Sequence, residues 1–144
     1  MSRVQLALNV SDLDEAVAFY SRLLGTEPAK RKPGYANFAV DDPPLKLVLF
    51  EVGDGLGERL NHLGIEVEHT DQVASAARRL SDSGLPTDVE EQTTCCYAVQ
   101  DKVWITDPDG ARWEVYTVLA DADSLRPPAS AGAAPATPGT PCCG

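Results

Sequence analysis

The chain has 144 residues, of which 43% are hydrophobic and 24% are charged, and its formal net charge is −10. This length suffices for one domain with a sizeable core or for two small fused modules. A strongly acidic surface repels nucleic-acid phosphates and anionic membranes, so we expect neither as a partner. The sequence shows neither a secretory signal at its N-terminus nor an apolar run long enough to span a membrane, which predicts a cytoplasmic protein.

The first strand–helix unit is visible in the alternation of side chains. Residues 3–10 alternate apolar and polar side chains, which predicts a strand with one buried face. Ser11 or Asp12 is a suitable N-cap for the helix that follows, and Gly25 is suited to end it. Three short strands are predicted next, at residues 28–32, 35–40 and 45–51. An Asp-Asp-Pro-Pro turn joins the last two as a hairpin.

The pattern then starts again. Residues 62–68 alternate as the first strand did, and a second helix follows with Thr70 or Asp71 as its N-cap. An offset of 57 residues aligns Gln5 with His62 and serves the neighbouring apolar positions as well. Three further strands are predicted at residues 86–91, 96–101 and 112–118, with 102–106 extending or flanking the middle one. The chain therefore contains an internal repeat of a β-α-β-β-β unit.

The repeat predicts an α+β fold. The first β-α-β-β-β module covers residues 1–58 and the second covers 59–120, and together they are expected to form a curved mixed sheet with the helices outside and a concave metal site. Residues 121–144 are rich in Pro and Ala and contain few large apolar side chains, so we predict a disordered tail that ends in Cys-Cys-Gly.

The four cysteines form two adjacent pairs, Cys95-Cys96 and Cys142-Cys143. Neighbouring cysteines bridge only through a strained ring, and cytosolic thiols stay reduced, so a disulfide framework is the weakest interpretation. Paired thiolates instead indicate capture of a soft metal or metalloid, or redox sensing. Since adjacent residues of a regular strand face opposite ways, we expect Cys95 and Cys96 in a loop or bulge just before a strand, with residues 90–94 as the loop.

Three polar side chains share the strand face opposite to the helices, namely Gln5, His62 and Glu114. One amide, one imidazole and one carboxylate make a ligand set with open positions, which is typical of catalytic metal sites. Glu114 lies in an apolar strand, where a carboxylate without a partner is costly. The alternative for Gln5 is an ordinary polar residue facing a wet groove, and Lys102 is interpreted as a solvated lysine.

Residues 1–120 resemble the vicinal oxygen chelate superfamily. The resemblance is carried by the repeat, by His62 at the start of a strand, and by the Asp-Pro-x-Gly-x-x-Trp-Glu segment that ends at Glu114. The Cys95-Cys96-Tyr97 stretch, the following Lys-Val-Trp and the terminal cysteine pair narrow it to organoarsenical carbon–arsenic lyases and their cadmium-induced relatives.

The resemblance implies an iron(II)-dependent enzyme that consumes dioxygen and cleaves the carbon–arsenic bond of trivalent organoarsenicals such as methylarsenite. It implies Gln5, His62 and Glu114 as metal ligands and Cys95 and Cys96 as the arsenic-binding thiolates. Gln5 stands where extradiol-type members usually carry histidine, which leaves room for manganese or another divalent ion.

Several alternatives remain open at this stage. The main one is a non-catalytic cadmium- or arsenic-binding resistance protein on the same fold. The terminal Cys142 and Cys143 are candidates for a metalloid relay or a spare sink. Members of the superfamily pair their modules within one chain or across a dimer, so both a monomer and a homodimer are compatible with the sequence.

Overall fold

A computed structural model describes residues 2–125 of the chain. The elements are, in chain order, β1 Arg3–Val10, α1 Leu13–Leu24, β2 Lys30–Lys32, β3 Tyr35–Val40, β4 Leu45–Glu51, β5 Leu60–Glu66, α2 Thr70–Asp82, β6 Asp88–Cys95, β7 Ala98–Thr106 and β8 Arg112–Asp121. The order β-α-β-β-β therefore occurs twice. Both the first strands and the helices of the two copies start 57 residues apart, which is also the separation of Gln5 and His62. The predicted α+β fold class is confirmed.

The chain forms two compact units, and the division lies between Glu66 and Val67. Strand β5 is the first element of the second repeat copy, yet it belongs to the first unit because it pairs antiparallel with β1. The predicted module boundary after residue 58 therefore marks where the sequence repeat starts again. The boundary between the compact units lies later, after β5.

In the first unit the strands lie in the order β2-β3-β4-β1-β5. β1 and β4 are parallel and the other pairs are antiparallel, so the sheet is mixed, and the predicted hairpin between β3 and β4 is present. α1 packs on one face of the sheet. Its core contains Val10, Leu13, Val17, Ala36, Phe38, Leu47 and Leu49. Because side chains alternate along a strand, Gln5 and Ala7 lie on the opposite face of β1.

The helix ends follow the cap residues. Asp12 is the N-cap of α1 and accepts a hydrogen bond from the backbone N–H of Glu15 at 3.0 Å, and Gly25 ends this helix with a φ of 69°. Both predictions are confirmed. α2 begins one residue earlier than predicted, with His69 as its N-cap. The Gln72 side chain accepts a hydrogen bond from the backbone N–H of His69 at 2.9 Å, which gives this N–H at the start of the helix a partner.

In the second unit the strands are antiparallel in the order β8-β7-β6. α2 covers one face, with a core of Val73, Ala76, Leu80, Val103 and Val115. The alternate positions of β7 and β8 carry Gln100, Lys102, Glu114 and Tyr116, all of them buried. These four side chains therefore lie on the face opposite to α2, as predicted for Glu114. Within residues 2–125 no helix is long and apolar enough to cross a membrane.

Two boundaries in this unit differ from the prediction. The expected loop at residues 90–94 is part of β6, because a bulge with Gln92 at a φ of 48° lets this polar stretch keep pairing with β7. The predicted disorder is wrong for residues 121–125, since β8 extends to Asp121 and the next residues bond to the β6–β7 turn. Residues 126–144, including Cys142 and Cys143, lie outside the described residues.

Candidate functional site

The two central cysteines lie at a tight turn between antiparallel strands. Cys95 is the last residue of β6 and pairs with Ala98 of β7, so only Cys96 and Tyr97 form the turn. Their φ angles are 54° and 61°, the pair of positive values that a type I′ hairpin turn requires. Such turns usually contain Asn-Gly, and residues other than glycine in sparsely populated conformations cost about 1–3 kcal/mol each. The backbone strain coincides with the thiol pair.

The turn brings both thiols to one side. The two sulfurs lie 3.4 Å apart in hydrogen-bond contact, with either able to donate, and this distance exceeds the about 2.05 Å of a disulfide bond. Cys95 is buried and Cys96 is half-buried. Cys95 and Cys96 were predicted to lie in a loop or bulge just before a strand. In the structure they lie at the turn that precedes β7. The arrangement presents two soft donors to one atom.

The repeat brings Gln5 and His62 together in the first unit. They lie diagonally across β1 and β5, because Gln5 pairs with Gly64 and His62 with Ala7. The amide nitrogen of Gln5 donates to Nε2 of His62 at 3.0 Å, and both side chains are buried. This contact follows from the 57-residue offset that aligned the two positions in the sequence.

A second amide fixes the His62 ring. Nδ1 of His62 lies 2.8 Å from Oδ1 of Asn61, and Asn61 in turn donates to Oδ1 of Asn9 at 3.0 Å. Since a side-chain carbonyl only accepts, Nδ1 carries the proton and Nε2 keeps its lone pair. Metal-binding histidines are commonly held in this way by a carbonyl or carboxylate on the other ring nitrogen.

The His62 ring is oriented so that one of its nitrogens can serve as a metal donor. Nε2 of His62 is in the tautomer that coordinates metals, and it accepts a hydrogen bond from the Gln5 side chain. Rotation of the Gln5 amide would place its carbonyl oxygen where its nitrogen now lies. Among residues 2–125 no three His, Cys, Asp or Glu side chains are grouped to hold a metal. The ligand set of Gln5, His62 and Glu114 stays a prediction.

Glu114 has a buried cationic partner in the second unit. The Lys102 ammonium lies 2.8 Å from Oε2 of Glu114, and the two residues are 0% and 2% exposed. The ammonium also lies 5.2 Å from the Trp104 ring centroid and 6.0 Å from that of Tyr116. The interpretation of Lys102 as a solvated lysine is wrong, because it shares the buried strand face with Trp104 and Glu114. Lys102 is a buried partner for the Glu114 carboxylate, which would be costly to bury alone.

One face of the second unit carries both the thiols and the carboxylate. Cys95 pairs with Ala98, so these two side chains share the face of Gln100 and Lys102. Gln100 donates its side-chain amide to the carbonyl of Cys95 at 3.0 Å. At about 3.3 Å per residue, the four-residue step from Ala98 to Lys102 spans about 13 Å. A soft-donor pair and a buried carboxylate thus lie along one strand face.

The comparisons with known proteins agree with this architecture. The family model described as the glyoxalase/bleomycin resistance protein/dioxygenase superfamily matches residues 3–115. The chain belongs to this superfamily. Among solved structures, this superfamily member is similar to the Mn(II)-bound glyoxalase of Novosphingobium aromaticivorans, with a TM-score of 0.60 and 21% identity. That match covers 90% of this chain and 44% of the glyoxalase, and it concerns the fold.

Two relatives of this superfamily member are much closer in sequence. The cadmium-induced protein CadI of Mycobacterium tuberculosis is 64% identical over 125 residues, which cover 87% of this chain and 82% of CadI. The trivalent organoarsenical cleaving enzyme of Thermomonospora curvata is 56% identical over 151 residues, which cover 99% of this chain and 100% of that enzyme.

Sequence reasoning missed three features of this superfamily member. Lys102 has the alternation phase of Glu114 on the neighbouring strand, but this phase alone does not distinguish a buried lysine from a solvated one. Asn61 precedes His62 directly, but nothing in an Asn-His pair distinguishes a supporting amide from a surface one. The backbone contacts of residues 122–125 to the cysteine turn have no sequence signature, because any residue type except proline supplies an N–H and every residue supplies a carbonyl.

Proposed function

We propose that the protein is an iron(II)- and dioxygen-dependent carbon–arsenic lyase acting on trivalent organoarsenicals such as methylarsenite. The main observation behind this proposal is that the sulfurs of Cys95 and Cys96 lie 3.4 Å apart. It is supported by the relative named trivalent organoarsenical cleaving enzyme, whose match covers 99% of this chain.

The thiol pair suits a trivalent monoalkyl arsenical. Such an arsenic atom is pyramidal with three ligands, and its one carbon substituent leaves two places for sulfur. On binding, each of Cys95 and Cys96 transfers its thiol proton to an arsenic hydroxyl group, which leaves as water while an arsenic–sulfur bond forms. The two cysteines fix the arsenic atom and leave its carbon substituent free to project away from the turn. Holding the reacting atoms in this way supplies part of the rate enhancement.

Gln5, His62 and Glu114 are proposed to hold the metal, through the amide oxygen, Nε2 and the carboxylate. Iron(II) bound by them would supply the activation of dioxygen, and manganese(II) is compatible with the same donors. Asn61 keeps His62 in the coordinating tautomer through the 2.8 Å contact to Nδ1. Lys102 compensates the charge of Glu114.

The second cysteine pair is proposed as a metalloid relay. A tether converts transfer between two sites of one chain into an intramolecular event at high effective concentration. Cys142 and Cys143 lie fewer than 20 residues after Leu125, whose carbonyl contacts the backbone of Cys96.

A non-catalytic cadmium- or arsenic-binding protein is the second candidate. It is supported by the 64% identity to cadmium-induced CadI and by the same thiol pair. Sequestration needs the cysteines alone, whereas cleavage also needs a redox-active metal and dioxygen.

Anaerobic reconstitution distinguishes the two functions. The protein is loaded with iron(II) without oxygen, methylarsenite is added, air is admitted, and the arsenic species are separated and counted. Arsenite that forms only when iron and oxygen are both present supports the lyase, with the Cys95→Ser variant as the inactive control. Methylarsenite recovered bound and unchanged overturns the lyase and supports the sequestering protein.

A further inference from the structure

The turn that carries the cysteines is held from outside the hairpin. The backbone N–H of Cys96 donates to the carbonyl of Leu125 at 2.9 Å, and that of Tyr97 donates to the carbonyl of Ser124 at 3.1 Å. In return, the N–H of Ala122 donates to the carbonyl of Tyr97 at 2.9 Å. We call residues 122–125 the strap. Three backbone hydrogen bonds thus join the strap to the two turn residues.

The strap continues the strand next to the hairpin. β8 runs alongside β7 until Asp121 lies opposite Ala98, the first residue after the turn. The chain then passes over Cys96 and Tyr97, whose outward N–H groups would otherwise need water as their acceptor. The strap therefore gives these two donors protein partners.

The turn needs such support because its residues do not favour its conformation. Cys96 and Tyr97 both have positive φ angles, and neither is the Gly, Asn or Asp that type I′ turns select. A conformation of this kind persists where surrounding contacts determine it. A change in these φ angles would move the sulfur of Cys96 relative to that of Cys95.

We infer that residues 122–125 are a positioning segment for the thiol pair, which hold Cys96 and Tyr97 in the conformation that places both sulfurs on one arsenic atom. This inference rests on the thiol half of the proposed function and is independent of the metal. The three hydrogen bonds from the strap to the turn all run through backbone groups, among them the N–H of Ala122.

Truncation tests the strap directly. The full chain is compared with chains 1–128 and 1–121, since 1–128 removes the terminal cysteines and keeps the strap, whereas 1–121 removes both. Amide exchange of Cys96 and Tyr97 is followed by NMR, with the core amide of Val103 as the internal control. We expect 1–128 to match the full chain and 1–121 to lose about tenfold or more of the protection at both turn amides. Equal protection in 1–121 and 1–128 overturns the inference.

The binding of a trivalent arsenical gives the second readout. Phenylarsine oxide is the probe, and chain 1–128 should bind one equivalent at Cys95 and Cys96. In 1–121 its affinity should fall about tenfold, which corresponds to the net loss of about one to two hydrogen bonds. Adding Tyr97→Gly to 1–121 should restore part of the affinity, because glycine adopts the positive φ without strain. A purely structural loss would not be rescued in this way.

A point substitution covers the case in which chain 1–121 does not fold. In chain 1–128, Ala122→Pro removes the N–H that bonds to Tyr97, and Ala122→Ser keeps it. Weaker phenylarsine oxide binding by the proline variant alone supports the strap, and equal binding by both variants overturns it. The proposed lyase function fails separately, if the full chain binds phenylarsine oxide yet releases no arsenite from methylarsenite with iron and oxygen.

Discussion

Lys102 and Glu114 form an ion pair 2.8 Å long in which neither side chain reaches solvent. Removing one partner of a buried pair leaves an uncompensated charge and destabilises by about 3–5 kcal/mol. We therefore expect Lys102→Met to lower the free energy of unfolding by about 3 kcal/mol, as measured by denaturant titration. The double variant Lys102→Met/Glu114→Leu should recover most of this loss. If it is as unstable as the single variant, the loss comes from packing and not from charge.

The same variant reports on the metal site. If Glu114 is a metal ligand, a divalent ion bound there would replace the missing ammonium. Iron(II) or manganese(II) should then raise the unfolding midpoint of Lys102→Met more than that of the parent chain. The measurement is thermal unfolding under anaerobic conditions with and without metal, with the double variant as the control. Equal midpoint shifts in all three proteins would contradict a ligand role for Glu114.

Gln5 donates a hydrogen bond to Nε2 of His62 at 3.0 Å. Gln5 is either an ordinary polar residue or also a metal ligand, and the two roles make different predictions. In either role, Gln5→Leu removes a buried hydrogen bond and should lower the free energy of unfolding by about 1 kcal/mol. If Gln5 is also a ligand, the affinity for iron(II) should fall about tenfold or more, as for other residues of metal sites. Anaerobic titration with iron(II) checks this. A stability loss with unchanged iron affinity would mean that Gln5 is an ordinary polar residue.

Asn61 supports His62 through Nδ1 at 2.8 Å. Removing a supporting hydrogen bond of this kind typically costs 10–100-fold in metal affinity, so Asn61→Ala should weaken iron(II) binding by about this factor. His62→Ala should abolish it, and binding of phenylarsine oxide should be unchanged in both. An Asn61→Ala protein with unchanged iron affinity would show that the ring orientation does not depend on this amide.

Cys95 and Cys96 are expected to bind arsenic and not iron. In chain 1–128, Cys95→Ser or Cys96→Ser should abolish the binding of methylarsenite and leave iron(II) binding unchanged, since the proposed metal ligands are Gln5, His62 and Glu114. Iron content and bound arsenic are measured on the same samples by elemental analysis. Loss of iron together with arsenic would contradict the separation of the two sites.

The elements and the repeat could be predicted from the sequence, because both depend on local periodicity. The 57-residue offset, the caps at Asp12 and Gly25 and the strand phase of Glu114 follow from spacing and from local hydrogen bonds, and the structure confirms them. The same offset that aligned Gln5 with His62 made these two residues neighbours across β1 and β5. The superfamily was also recognisable, from the repeat, His62 and the segment that ends at Glu114.

The contacts of each polar side chain could not be predicted, because they depend on how distant parts of the chain fold together. Lys102 has the phase of Glu114, but alternation cannot tell a solvated strand face from a covered one, so its burial was not predictable. The Cys96-Tyr97 turn lacks the Gly or Asn that marks a two-residue hairpin, and its conformation is supported by contacts from residues distant in sequence. The strap bonds through backbone groups that nearly every residue type carries, and this is why only the folded chain shows where residues 122–125 lie.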